Sequence, residues 1–220
     1  MADSGNRTTV ILVRHGETEW NATGRIQGHG DSPLTALGLE QGRRVAERLA
    51  GEKIAAVYAS TLSRARDTGE LIAAPHGLSV QLVEDLRERS YGSYEGLTTT
   101  EIAAREPEAL SAWLAHPNRE ELAAPGGENQ PQMSARVMPA LRAIVARHPG
   151  ETVVVAAHGG PIKSAVFAIL IIPITAWDLT WVSNGSITVL RGTPDKLRVA
   201  CVNDTCHLDS VFTKPRGIEG

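Results

Sequence analysis

Cysteine is nearly absent: Cys201 and Cys206 are the only two in 220 residues. Two thiols without a CxxC spacing make neither a disulfide framework nor a cysteine metal site. Cys201 falls in a strand-like stretch and Cys206 in a turn; both are expected as reduced thiols, which suits the cytoplasm. Excess charge is missing too. A net charge of −3 gives no electrostatic reason for a nucleic-acid or membrane partner. Long apolar runs are also missing, since the longest, Ala165 to Ile172, stops at Pro173, far short of the ~20 residues a spanning helix needs. The opening MADSGNRTT has no basic stretch leading into an apolar one, so it does not read as a signal peptide. There are no repeats and no low-complexity linker, only short polar ends, and nothing sets an oligomeric state.

What is present is an ordinary globular composition, 42% hydrophobic and 21% charged. The length suits one domain over 1–220 that buries about two-thirds of its unfolded surface. Strand-like and helix-like pieces alternate. TVILV (9–13) is a β-branched run fit for a strand covered on both faces. The next stretch reads as a helix capped by Thr35, with Leu39, Ala46 and Leu49 on one face. IAAVYAS follows as a strand, then a helix that Pro75 ends, then the short strand LSVQLV. Residues 98–123 read as short helices broken by Pro107 and Pro117 and closed by the turn PGGEN. Met133, Val137, Leu141, Ile144 and Val145 form a helix stripe; TVVVAA is a second buried strand, followed by a loop and helix with Pro161 in the first turn. GSITVL and LRVACV close the chain as strands. This alternation predicts an α/β fold with a mainly parallel central sheet and helices on both faces.

In such sheets ligands bind beyond the carboxyl ends of the strands. Arg14 and His15 follow the first strand, Arg64 opens the helix after the second, Glu88 comes soon after the third, and His158-Gly159-Gly160 follows the fourth. A strand that ends in a cation beside an imidazole predicts an anion between them, and phosphate is the natural one. Arginines grip phosphoryl oxygens through paired N–H donors, and helix N-termini add backbone N–H groups. No Asp-rich or Cys-rich cluster suggests a metal, and no cofactor is expected. His15 is the candidate nucleophile, kept neutral by flanking cations, and Glu88 the candidate acid.

Each residue has a plainer reading. Arg14-His15 could be a surface pair, Arg64 a helix-surface charge paired with Asp67, Glu88 one member of the solvated run EDLRER, and His158 a turn histidine. Trp20, Trp113, Trp177 and Trp181 read as core or lid packing, and His29, His76, His116, His148 and His207 carry no assigned role. The convergence of four strand ends is stronger than any member.

RHGETEWN, with GRIQG, LTALGLEQ, YASTLSRARDTGELI, LRERSYGSYEG, PGGEN, VVVAAHGGPIKS, NGSITVL and NDTCHL, resembles the histidine phosphatase superfamily, which includes the cofactor-dependent phosphoglycerate mutases. The resemblance implies a three-layer α/β/α sandwich, transient phosphorylation of His15, a phosphate pocket of Arg14, Arg64 and His158, and Glu88 as proton donor. It adds Asn21, Gln27 and the backbone of Gly159 as substrate-binding groups, and makes residues at about 97–131 a helical lid. SYGSYEG is closer to the phosphatase branch, and mutases commonly carry Thr at the position of Gln27. Within that lid Arg105 and Arg119 stand against Glu101, Glu106, Glu108, Glu120, Glu121 and Glu128, a net of −4. An acidic lid suits a small, singly phosphorylated metabolite better than a bisphosphate. The expectation is a metal-independent phosphomonoesterase working through phosphohistidine. The alternatives are a phosphoglycerate mutase and a non-catalytic phosphate-binding module.

Overall fold

The computed structural model describes residues 6–116, 119–209 and 211; Pro117 and the polar ends of the chain lie outside them. The β-branched run is β1 (Thr8–Arg14), followed by the short α1 (Glu19–Thr23), α2 (Ala36–Leu49), β2 (Ile54–Ser60), α3 (Ser63–Ala73) and β3 (Val80–Val83). Next come α4 (Thr99–Arg105), α5 (Pro107–Ala115), α6 (Gln130–Arg147), β4 (Thr152–Ala157) and α7 (Gly159–Leu170), then the hairpin β5 (Ile187–Thr193) and β6 (Lys196–Asp204). Thr35 caps α2 as expected, its Oγ1 accepting the Gly38 N–H at 3.0 Å. Pro107 starts α5 rather than interrupting a helix, because a first-turn residue needs no amide donor.

The strand order is β3-β2-β4-β1-β5-β6. β1, β2, β3 and β4 run parallel, while β5 and β6 are antiparallel additions beside β1. Successive strand residues face opposite sides, and both sides are covered. Val10, Leu12, Val153 and Val155 meet Met133, Val137 and Leu141 of α6 and Ile162 and Ala165 of α7. Ile11, Val13, Val57 and Val154 meet Val45 and Leu49 of α2 and Ile72 of α3. The layers are α/β/α, and truncating fully buried Leu12 to Ala costs about 2–5 kcal/mol.

Leu39 departs from the reading of α2. The buried stripe is Gly38, Gln41, Gly42, Val45, Ala46 and Leu49, and Leu39 is 36% exposed. The close contact with α3 runs through Gly42, where a Cβ would meet Leu71 Cδ1 at 2.6 Å, and this turns Leu39 outward. Among the described residues, no helix is long and apolar enough to cross a membrane.

Four parallel strands therefore end on one edge. The antiparallel β5 begins there, so the residues just before it arrive at the same edge.

Candidate active site

His15 lies just past β1 and is buried, with its Nδ1 2.7 Å from the Gly16 carbonyl. Nδ1–H is the donor in that bond, so Nε2 carries the free lone pair. The buried His158 follows β4, its ring centroid 5.1 Å from that of His15 in an edge-to-face arrangement. Its Nε2 lies 2.8 Å from Ser60 Oγ, which also accepts the Leu62 N–H at 3.3 Å; with the hydroxyl donating to Nε2, the His158 proton sits on Nδ1. Burial first, then the charges of Arg64 and Arg14, hold the His15 imidazole well below its ordinary range. His158 is held down by burial, then by Arg64, His15 and Arg14.

Arg64, from the first turn of α3, is 1% exposed. Its Nη2 donates to the Gly28 carbonyl at 2.7 Å and its Nη1 to that of Gly30 at 2.8 Å, with Asp31 3.5 Å away. The surface pairing with Asp67 belongs instead to Arg66, at 2.9 Å. Arg14 Nη1 donates to the Val182 carbonyl at 2.5 Å, and its guanidinium carbon lies 5.9 Å from the centre of the half-exposed Trp181 ring. Burial lowers its pKa to about 10, with Glu88 opposing and Arg64 reinforcing, so it is cationic at neutral pH. Both arginines are thus fixed by main-chain carbonyls. Yet Arg14 Nε, Arg64 Nε and His158 Nδ1 are buried with no hydrogen-bond partner among the described residues. Orphaned buried donors are rare in native proteins. These three groups lie around His15, whose ring feels the charges of both arginines, an arrangement suited to an anion.

Glu88 completes the ring. Its Oε1 accepts the Arg89 N–H at 2.9 Å and its Oε2 the Gly160 N–H at 3.1 Å. A Cβ on Gly160 would lie 2.0 Å from Oε1, so any side chain there would push the carboxylate aside. Arg136 of α6 clamps the segment, donating at 2.8 Å to each of the Asp85, Arg87 and Glu88 carbonyls while gripping Glu128 with Nε and Nη2. His29 Nε2 donates to the Glu88 carbonyl at 2.9 Å. Glu95 staples the neighbouring loop: its carboxylate accepts the N–H groups of His29, Gly30 and Tyr91 at 2.8–2.9 Å.

Thr18 caps α1, and Asn21 completes the capping box, its Oδ1 accepting the Thr18 N–H and the Asn184 amide, each at 3.2 Å. Gln27 is buried, with Oε1 unpartnered among the described residues. A Cβ on Gly159 would lie 3.7 Å from Arg14 Nε. Asn184 was not foreseen: it precedes β5 and donates to the His15 carbonyl at 3.1 Å. Arg136, His29 and Glu95 also escaped sequence reasoning. Beside Arg89 and Tyr91, a cavity of about 460 Å³ opens under α4 and α5, walled by Tyr94, Ile102, Trp113 and Leu122. The charge count over 97–131 overstates its acidity. Glu101, Glu120 and Glu128 are paired at 2.6–2.7 Å with Arg25, Arg89 and Arg136, all from outside the segment. Among the described residues no three His, Cys, Asp or Glu side chains gather as a metal-holding group.

Comparison with known proteins places the chain in a family. Residues 10–205 match the family model described as the histidine phosphatase superfamily, branch 1. The chain is 41% identical to a metal-independent phosphoserine phosphatase of Arabidopsis thaliana, over 97% of this chain and 88% of that one. It is 34% identical to a glucosyl-3-phosphoglycerate phosphatase of Mycobacterium tuberculosis, over 83% of this chain and 85% of that one. Among solved structures, Bacillus stearothermophilus YhfR superposes with a TM-score of 0.84 at 35% identity, covering 91% of this chain and 99% of that one. The chain belongs to the histidine phosphatase superfamily.

Proposed function

We propose that the protein is a metal-independent phosphomonoesterase that acts on a small phosphorylated metabolite through a phosphohistidine intermediate. His15 Nε2 attacks phosphorus as the ester oxygen leaves, and the protonated Glu88 gives that oxygen its proton. Glu88, now a carboxylate, takes a proton from water, and the resulting attack on phosphohistidine releases phosphate and restores both groups. Arg14, Arg64 and His158 stabilise the equatorial oxygens throughout, with Asn21, Gln27 and the Gly159 backbone completing the cradle. The observation that carries this reading is the set of orphaned donors, Arg14 Nε, Arg64 Nε and His158 Nδ1, around a histidine whose tautomer leaves Nε2 free. Residues 97–131 act as the lid of a single domain, and the free thiols suit the cytoplasm.

A phosphatase fits better than a mutase, which must retain a bisphosphorylated intermediate. Three arginines that reach the lid from outside, Arg25, Arg89 and Arg136, are already engaged by Glu101, Glu120 and Glu128, so a second phosphate finds fewer uncommitted cations there. The named activities of the relatives point the same way and supply phosphoserine and glucosyl-3-phosphoglycerate as first substrates to test. Rapid quenching during turnover is expected to trap an acid-labile phosphoenzyme, with activity unaffected by EDTA. With 3-phosphoglycerate and catalytic 2,3-bisphosphoglycerate, phosphate release is expected to outpace isomerisation. The reverse result would make the protein a mutase.

A further inference from the structure

A desolvated ion pair adjoins the proposed acid. Arg89, the residue after Glu88, donates from Nη1 to Glu120 Oε2 at 2.6 Å, and the two are 5% and 6% exposed. Glu120 belongs to the helical turn Arg119–Glu121 between α5 and α6. The Arg89 guanidinium also lies over the Tyr91 ring, 4.6 Å from its centre, and is close enough to feel the charge of Glu88.

The cations around Glu88 are anchored in different ways. Arg14 is held by the Val182 carbonyl, Arg64 by those of Gly28 and Gly30, and Arg136 by three more. Lys163 of α7 donates to the Trp177 carbonyl at 2.5 Å and sits 4.3 Å from that ring's centre. Arg89 is different: side chains, Glu120 and Tyr91, engage its guanidinium. Without Glu120, Glu88 is a carboxylate whose charge already reaches the buried Arg89 guanidinium. A guanidinium closing on Glu88 would commit its oxygens as acceptors and favour the ionised form, which has no proton to give.

We propose that Glu120 is a positioning residue of the reaction: by occupying Arg89 it keeps that cation off Glu88 and leaves Glu88 able to carry the proton for the leaving oxygen. Two other ion pairs tie the same segment to the body, Arg25–Glu101 and Arg136–Glu128, and both are more exposed. Holding the segment down therefore does not require a desolvated pair here; a buried pair costs much of what it returns, and an apolar contact would serve as well.

The inference rests on the phosphomonoesterase reading, and its test separates the two. The readout is the ratio of kcat/KM for p-nitrophenyl phosphate to that for an alkyl phosphate, measured on one preparation so that the folded fraction cancels. Glu120→Gln is expected to raise this ratio about tenfold, because the poor alkoxide leaving group depends on the acid and the phenolate does not. Glu120→Asp keeps the charge and is expected to stay near the wild-type ratio. Arg89→Met/Glu120→Gln removes the cation along with its partner and is expected to return the ratio to the wild-type value. An equal loss on both esters in Glu120→Gln would overturn the inference, as would a raised ratio in the double variant. If Glu120→Gln does not fold, the double variant, with no buried charge left unpaired, decides alone by the same criterion. A wild-type protein that hydrolyses neither ester would overturn the phosphatase reading itself, and this inference with it.

Discussion

The sheet edge and the 97–131 segment are built on opposite plans. At the edge, His15, Arg64 and His158 are almost wholly buried, and main-chain carbonyls or a buried hydroxyl hold them. In the segment, Ile102 and Leu110 are the hydrophobic side chains buried among the described residues, and three glutamates bind to arginines elsewhere. Backbone anchors come with the fold, so the edge cannot change its geometry without unfolding. Side-chain ion pairs exchange partners more readily. On the proposed function, the difference would separate what fixes the reaction from what can vary with substrate.

The largest expected effect tests the rigid half. His15→Gln should abolish phosphoenzyme and reduce turnover by at least about 10⁴-fold, because no other group is placed to attack. Retained turnover would mean that the edge is not the reacting centre. Gly160→Ala follows. Its methyl group would displace the Glu88 carboxylate, and alkyl phosphate turnover should fall about 100-fold, with a smaller loss for p-nitrophenyl phosphate. Unchanged rates would show that the edge tolerates movement after all.

A third test uses pH. Both imidazoles are held below the ordinary value of 6.5, so below that pH the unfolded chain binds protons that the folded protein refuses. Stability present above pH 6.5 should therefore be lost as pH falls, by about 1.4 kcal/mol per pH unit for each imidazole. Denaturant midpoints from about pH 5 to 7 should fall less steeply with acid in His15→Gln. An equal slope would mean that His15 titrates alike in both states. The smallest effect belongs to the segment: Arg25→Gln breaks a surface pair with Glu101 and should lower the thermal unfolding midpoint only slightly. A larger loss would place this contact with the rigid half.

The edge was legible in the sequence because its signals are local. A cation and an imidazole at the end of a β-branched run, and a His-Gly-Gly at the end of another, are unusual where they stand, and parallel strands bring them together. Asn184 was missed because the rule concerns the carboxyl ends of parallel strands, whereas it precedes an antiparallel one. Arg136 lies between Met133 and Val137 in a stripe read as core, and its partners around Glu88 are about 50 residues away in the chain. Nothing nearby announces them. The charge count over 97–131 misled for the same reason, since Arg25, Arg89 and Arg136 lie outside the segment.

The Glu95 carboxylate joins two walls of the pocket. It accepts from His29 and Gly30 on one side and from Tyr91 on the other, so the loop beside Gln27 and the segment carrying Glu88 move as one body. If residues 97–131 act as the proposed lid, ester enters and phosphate leaves past that one side of the pocket. Slow product departure would then be a property of that side alone, and could be tuned there without touching the chemistry beneath.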